Sequence, residues 1–166
     1  MIRRHALLLA VTLIASACPY ELTSPESDLE GLPEGLEVTL TVEPGEVAQH
    51  APFTVRLTVT NTTPETLQVV TAHGCLAVPN VLRSGERVPF EGSGWGCTAA
   101  ITTHVFPPGE THTRTWEMRA ELYAEHPGDV DGAPAPRGTY WVQAEFDTYV
   151  PGLAHKPAIS KMLRVR

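Results

Sequence analysis

The side chains with the most chemical potential in this sequence are three cysteines and a scattered set of histidines. Cys75 and Cys97 bracket a Gly-rich excursion, and His73-Gly74-Cys75 puts an imidazole two residues from a sulfur. Cysteines so placed can form a disulfide, remain as thiols or share a metal, because thiolate and imidazole both ligate borderline and soft ions. His50, His104, His112, His126 and His155 complete the set beyond the N-terminal segment. Thr103-His104 and Thr111-His112 fall on neighbouring strand-like stretches, where two imidazoles can converge across a sheet. Copper is the first ion to test on that basis, since imidazole suits it. No His-x₃-His or Cys-x₂-Cys spacing occurs, so the sequence pattern assigns no metal ligands and implies no cofactor.

Catalysis finds less support. Gly92-Ser93-Gly94 lacks the Gly-x-Ser-x-Gly spacing and the strand-to-helix setting that expose a nucleophile. No lysine or helix start follows the glycines, so they do not form a phosphate cradle. Asp129 and Asp131 sit in a Pro- and Gly-rich stretch without an EF-hand frame, as solvated turn residues do. The expectation is a protein that is not an enzyme, with no catalytic residues.

Compartment decides between the fates of the cysteines. Arg3 and Arg4, the apolar run Ala6 to Ile14, and Ala15-Ser16-Ala17 have the three parts of a secretory signal, whose apolar core is short for a membrane span. Exported domains fold where thiols oxidise, so a Cys75–Cys97 disulfide is expected, with free thiols or a metal site as the alternatives. A loop of this size removes denatured-state entropy worth roughly 3 kcal/mol in the chain-entropy description. Ala15-Ser16-Ala17-Cys18 resembles the lipobox of bacterial lipoproteins, with Ala15 where leucine is usual. The resemblance implies cleavage before Cys18, acylation of that cysteine and attachment to a membrane through its lipid; ordinary secretion with a different cut is the alternative. Cysteine parity favours the lipid, because one bridge leaves one cysteine over.

Removing residues 1–17 takes away two arginines and no acid, so the formal charge moves from −7 to −9. With no Lys/Arg cluster, nucleic acid is not an expected partner, and neither is a polybasic membrane contact. Residues 18–35 are rich in acids, Pro, Ser and Gly without a period, and read as the lipidated cysteine and a flexible tether spanning on the order of 20 Å. Residues 36–166 are one domain.

That domain must supply the frame for Cys75 and Cys97. Leu36-Glu37-Val38-Thr39-Leu40-Thr41-Val42 and Phe53-Thr54-Val55-Arg56-Leu57-Thr58-Val59-Thr60 alternate strictly, as half-buried antiparallel strands do. Further strands are predicted over residues 67–72, 101–106, 111–118, 139–146 and 158–165. A short hairpin turning at Arg83-Ser84-Gly85-Glu86-Arg87 lies within the bridged region. Residues 121–138 are predicted as a long loop with one helical turn near 122–126. Lys161 on an otherwise apolar face indicates an edge or open end. About seven to nine short strands imply an all-β, immunoglobulin-like or fibronectin-like antiparallel sandwich with one disulfide.

Gly138-Thr139-Tyr140 resembles the Gly-x-Tyr entry to the penultimate strand of such sandwiches, where the tyrosine hydroxyl bonds back to nearby backbone. Val142 stands where an antibody domain has cysteine, so the bridge is not the antibody one. Four features occur in order: Val59-Thr60-Asn61-Thr62-Thr63, a Gly-rich middle, Pro107-Pro108-Gly109-Glu110 before Trp116, and Gly138-Thr139-Tyr140. Together they are similar to bacterial domains named for the BsuPI intracellular proteinase inhibitor. That resemblance covers roughly residues 36–146 and implies a protease as partner; the export signal and the disulfide depart from it.

The reading that follows is a non-catalytic envelope lipoprotein binding an unidentified protein through the 75–97 region, with Arg83, Arg87 and Trp95 as anchors of types common at interfaces. Trp95 packed over the bridge would serve a structural end instead. Trp116 and Trp141 are expected in the core or on a sheet face. A passive spacer of the envelope and a copper-binding protein are the alternatives.

Overall fold

The computed structural model describes residues 27–93, 96–124, 132–149 and 156–166. The predicted signal segment, Cys18, the first part of the tether, Trp95, His126, His155, Asp129 and Asp131 lie outside the described residues.

The described elements are all strands: β1 (Leu36–Glu43), β2 (Glu46–Val47), β3 (Pro52–Asn61), β4 (Leu67–Thr71), β5 (Val78–Arg83), β6 (Glu86–Arg87), β7 (Phe90–Glu91), β8 (Thr102–Phe106), β9 (Thr111–Leu122), β10 (Ala133–Pro134), β11 (Gly138–Glu145) and β12 (Ala158–Val165). One sheet runs β1-β3-β9-β10 with β7 also on β9, the other β2-β12-β11-β5-β6, and β4 pairs with β8 apart from both. The architecture is the expected all-β, immunoglobulin-like antiparallel sandwich; among the described strands the one departure from antiparallel pairing is β2, which lies parallel to the end of β12.

The alternation read from the sequence is the alternation of burial. Along β3, Phe53, Val55, Leu57 and Val59 are buried while Thr54, Arg56, Thr58 and Thr60 face outward. Across the core, Tyr140, Val142 and Ala144 of β11 and Leu163 and Val165 of β12 close the other side. Phe90 stands between the sheets, edge-on to Phe53 at 6.2 Å and to Tyr140 at 5.0 Å between centroids. Such edge-to-face pairs stabilise beyond their buried area, by about 1 kcal/mol each. Trp116 is buried in the same core, and Trp141 is half-buried on the outer face of β11.

Tyr140 Oη donates to the carbonyl of Pro136, four residues upstream, as the Gly-x-Tyr resemblance implies. A second polar knot sits inside the fold at Asn61. Its Nδ2 donates to the carbonyls of Glu65 (2.6 Å) and Phe106 (2.8 Å), and its Oδ1 accepts from Thr63 N (2.9 Å) and Thr63 Oγ1 (2.8 Å). The Asn-Thr-Thr-Pro stretch that ends β3 is thus a fully partnered turn, which lets a polar amide be completely buried.

Two details differ from expectation and a third agrees with it. Residues 28–35, read as tether, lie on the sandwich: Asp28 and Ala158 exchange both main-chain bonds, and Leu29 and Leu32 pack against the core. Those two leucines supply apolar area that composition averaged over the segment conceals. Strand β9 continues to Leu122, held there by Phe90 of β7 and by Ala133 of β10, so Leu122 is strand and not helical turn. Lys161 is exposed on β12, whose outer edge is paired by β2 at Arg164 and Val165 and by Asp28 at Ala158; Lys161 falls in the stretch between, where no described strand pairs that edge.

Candidate functional site

Cys75 and Cys97 are joined as a disulfide, with their Cα atoms 5.5 Å apart. The sequence dictates how the bridge is seated. Strand β4 ends at Thr71, and the chain turns through Ala72, His73 and Gly74 into Cys75. Gly74 N donates to Thr98 O at 2.9 Å, and a Cβ on Gly74 would stand 2.1 Å from Thr98 Oγ1. A side chain at Gly74 would therefore force the Thr98 side chain to move, while the nearest main-chain atom, Thr98 N, stays at 3.6 Å. Within the segment, β5 and β6 form the expected hairpin, with Ser84 (φ 54°) and Gly85 (φ 83°) in the left-handed conformation that a two-residue hairpin turn requires.

Around the bridge the fold collects groups from distant parts of the chain. His73 lies between the bridge and the far end of β11: its Nδ1 accepts from Cys75 N at 3.3 Å, and its Nε2 is 3.5 Å from Asp147 Oδ2. Asp147 Oδ1 meets Lys156 Nζ at 3.3 Å, and the same ammonium meets Glu145 Oε1 at 3.0 Å. The hydrogen bond to Glu145 raises the Lys156 pKa above the usual lysine value, ahead of the opposing effect of burial. A shallow depression of about 350 Å³ opens beside these groups, lined by His73, Asn80, Arg87, Glu145 and Lys156 among others. On the other side of the bridge a smaller hollow of about 150 Å³ is bounded by Cys75, Gly96, Arg114 and Trp116.

Thr71 connects this cluster to His104. The Thr71 hydroxyl donates to the His73 carbonyl and lies 3.0 Å from His104 Nε2. Burial lowers the His104 pKa below its ordinary 6.5, and the neighbouring His112, Arg114 and His73 lower it further. The two imidazoles expected to converge across a sheet are thus near enough to feel each other, although β8 pairs with β4 and not with β9. Each has its own partner: His112 stacks at 4.4 Å on Phe106 and meets Glu110 Oε1 at 2.7 Å. His50 is elsewhere, on Glu121 at 3.1 Å.

The residues singled out as anchors are divided by the structure. Arg87 is exposed and lines the depression next to the bridge. Arg83 is half-buried, its guanidinium 5.4 Å from the centroid of the Tyr140 ring and bonded to the Arg137 carbonyl at 3.3 Å. It caps the tyrosine corner. Asp147, Lys156 and Glu145 were not anticipated; only the pairing of β11 with β12 and the fold of 146–149 against β4 bring them to the bridge.

No family model matches the chain, and no curated protein matches it. Among solved structures, similarity is found to a β-glucosidase from Erythrobacter marinus (13% identity, TM-score 0.44, covering 79% of this chain and 16% of that one). A β-glucosidase from Listeria innocua in complex with glucose is similar at 14% identity and TM-score 0.43, covering 78% of this chain and 16% of that chain. An alkylpurine DNA glycosylase of Pseudomonas fluorescens bound to DNA is similar at 12% identity and TM-score 0.44, covering 82% and 32%. This chain therefore spans from about a sixth to a third of those proteins.

Proposed function

We propose that this chain is a non-catalytic lipoprotein of a bacterial cell envelope, held to a membrane through acylated Cys18, and that its immunoglobulin-like domain binds a protein partner on the bridged 75–97 region. A protease is the sharpest form of that partner. The observation that carries the reading is the covalent closure of Cys75 and Cys97 beside a depression that presents Arg87, His73 and Lys156. A segment already fixed by a disulfide loses less conformational freedom on docking, and arginine is a residue type over-represented among interface anchors. A disulfide also suits an oxidising, exported compartment.

The test places a photo-reactive residue at Arg87 in the full chain and, as control, at Thr113, which is exposed on β9 of the other sheet. A discrete protein adduct is expected at 87 and absent at 113, with capture falling at least about tenfold in the Cys75→Ser/Cys97→Ser double variant. A parallel assay against envelope proteases checks for inhibition lost in the same double variant. Equal capture at both positions, or capture and inhibition that survive removal of the bridge, would overturn the reading in favour of a passive spacer.

A further inference from the structure

We infer that the bridged site has a second state: reduction of the Cys75–Cys97 disulfide releases a three-ligand site for a thiophilic d¹⁰ cation such as Zn²⁺, formed by His73, Cys75 and Cys97. The ligand atoms of these three residues all lie within 4.8 Å of one another. Tetrahedral zinc bound by two thiolates and an imidazole sets its ligand atoms roughly 3.6–3.8 Å apart, from the usual metal–sulfur and metal–nitrogen distances. The triad is therefore close to a coordination sphere, and the sulfur–sulfur bond is what keeps the sulfurs from donating.

Asp147 Oδ2 stands 3.5 Å from Nε2, and Nδ1 accepts a bond from Cys75 N at 3.3 Å. In the reduced state Nδ1 exchanges that bond for the ion while Nε2 closes on Asp147. A carboxylate on the second ring nitrogen is the usual support of a metal-bound histidine, fixing its tautomer and raising its basicity. His73 and Asp147 are 21% and 28% exposed, so an ion can reach the site, and a fourth position stays open for water or an external ligand. Lys156, on the other oxygen of Asp147, adds a positive charge nearby that the two thiolates outweigh.

The chemistry balances with a dithiol as reductant. The dithiol gives two electrons and two protons to the Cys75–Cys97 bond and becomes a disulfide itself; the two new thiols then lose their protons as the divalent cation binds. The oxidised form holds no metal and the reduced form holds one ion per chain. The partner-binding reading concerns the oxidised face and stands or falls separately.

The test uses the full chain in detergent with Cys18→Ser, so that Cys75 and Cys97 are its only thiols. Oxidised and phosphine-reduced samples are titrated with Zn²⁺ against a chromophoric chelator and with Co²⁺ as spectroscopic probe. The expected result is no binding when oxidised. When reduced, one ion binds per chain with a thiolate-to-cobalt charge-transfer band and a Zn²⁺-dependent rise in Tm. His73→Gln, with its fold checked in the oxidised form, should weaken reduced-state affinity about 100-fold, and Asp147→Asn about 10-fold. The inference is overturned by a reduced chain without the thiolate band, by a reduced chain that Zn²⁺ does not stabilise, or by affinity unchanged in His73→Gln.

Discussion

Replacing Asn61 by alanine tests whether the fold depends on the polar knot beneath β4 and β8. The side chain makes four hydrogen bonds, two donated to the main-chain carbonyls of Glu65 and Phe106 and two accepted from Thr63. The residue is completely buried, so water cannot replace them without opening the turn. At a net contribution of about 1 kcal/mol per bond, partly offset by relaxation of the turn, the loss comes to about 3 kcal/mol. For a domain of this size that corresponds to a fall in Tm of roughly 10 °C. The assay is urea denaturation of wild type, Asn61→Ala and Asn61→Asp, with Thr62→Ala as control, whose exposed hydroxyl makes a single bond to Gly35 O. Asn61→Asp keeps the acceptor that Thr63 uses but turns a carboxylate oxygen toward two carbonyls, so at neutral pH it should be no more stable than Asn61→Ala. Thr62→Ala should lose at most about 1 kcal/mol. An Asn61→Ala protein within about 0.5 kcal/mol of wild type would refute the assignment of this knot as a structural requirement.

Two further outcomes follow from the same coordinates. Tyr140→Phe removes the bond to the Pro136 carbonyl and the hydroxyl partner of Arg83 while leaving the ring in the core, and should cost about 1–1.5 kcal/mol, read from the denaturation midpoint at unchanged slope. His104 has its folded pKa lowered, chiefly by burial, so the unfolded chain binds the proton more readily. The contribution of His104 is then fully present above its ordinary pKa of 6.5 and is lost as pH falls through the lower folded value. Stability measured across this window should decline less steeply with acidification in His104→Gln than in wild type.

What the sequence made legible, and what it did not, follows the range of the interactions. β1 and β3 were readable because Val38, Leu40 and Val42, and Phe53, Val55, Leu57 and Val59, alternate with polar residues over whole strands. The Ser84-Gly85 turn was readable because it needs only local backbone chemistry. The two-residue strands β2, β7 and β10 carry no period of their own; each exists because a remote strand offers it an edge. The far end of β9 was obscured by Glu121, which faces out between Ala120 and Leu122 and pairs with His50. At the site, Cys75, Cys97 and His73 were visible as a local fragment, whereas Asp147 and Lys156 reach it through strand pairing that no spacing rule encodes. Arg83 and Arg87 look alike in sequence, but only the first lies over the tyrosine ring.

The exchange of main-chain bonds between Asp28 and Ala158 fixes where the first described residues sit relative to the bridge. Ala158 pairs with Glu145, and Glu145 with Val78, so Asp28 stands three strand spacings from Val78, just inside the bridged segment. That is roughly 14 Å at the usual inter-strand distance. The first described residues of the chain therefore lie at the same pole as the disulfide.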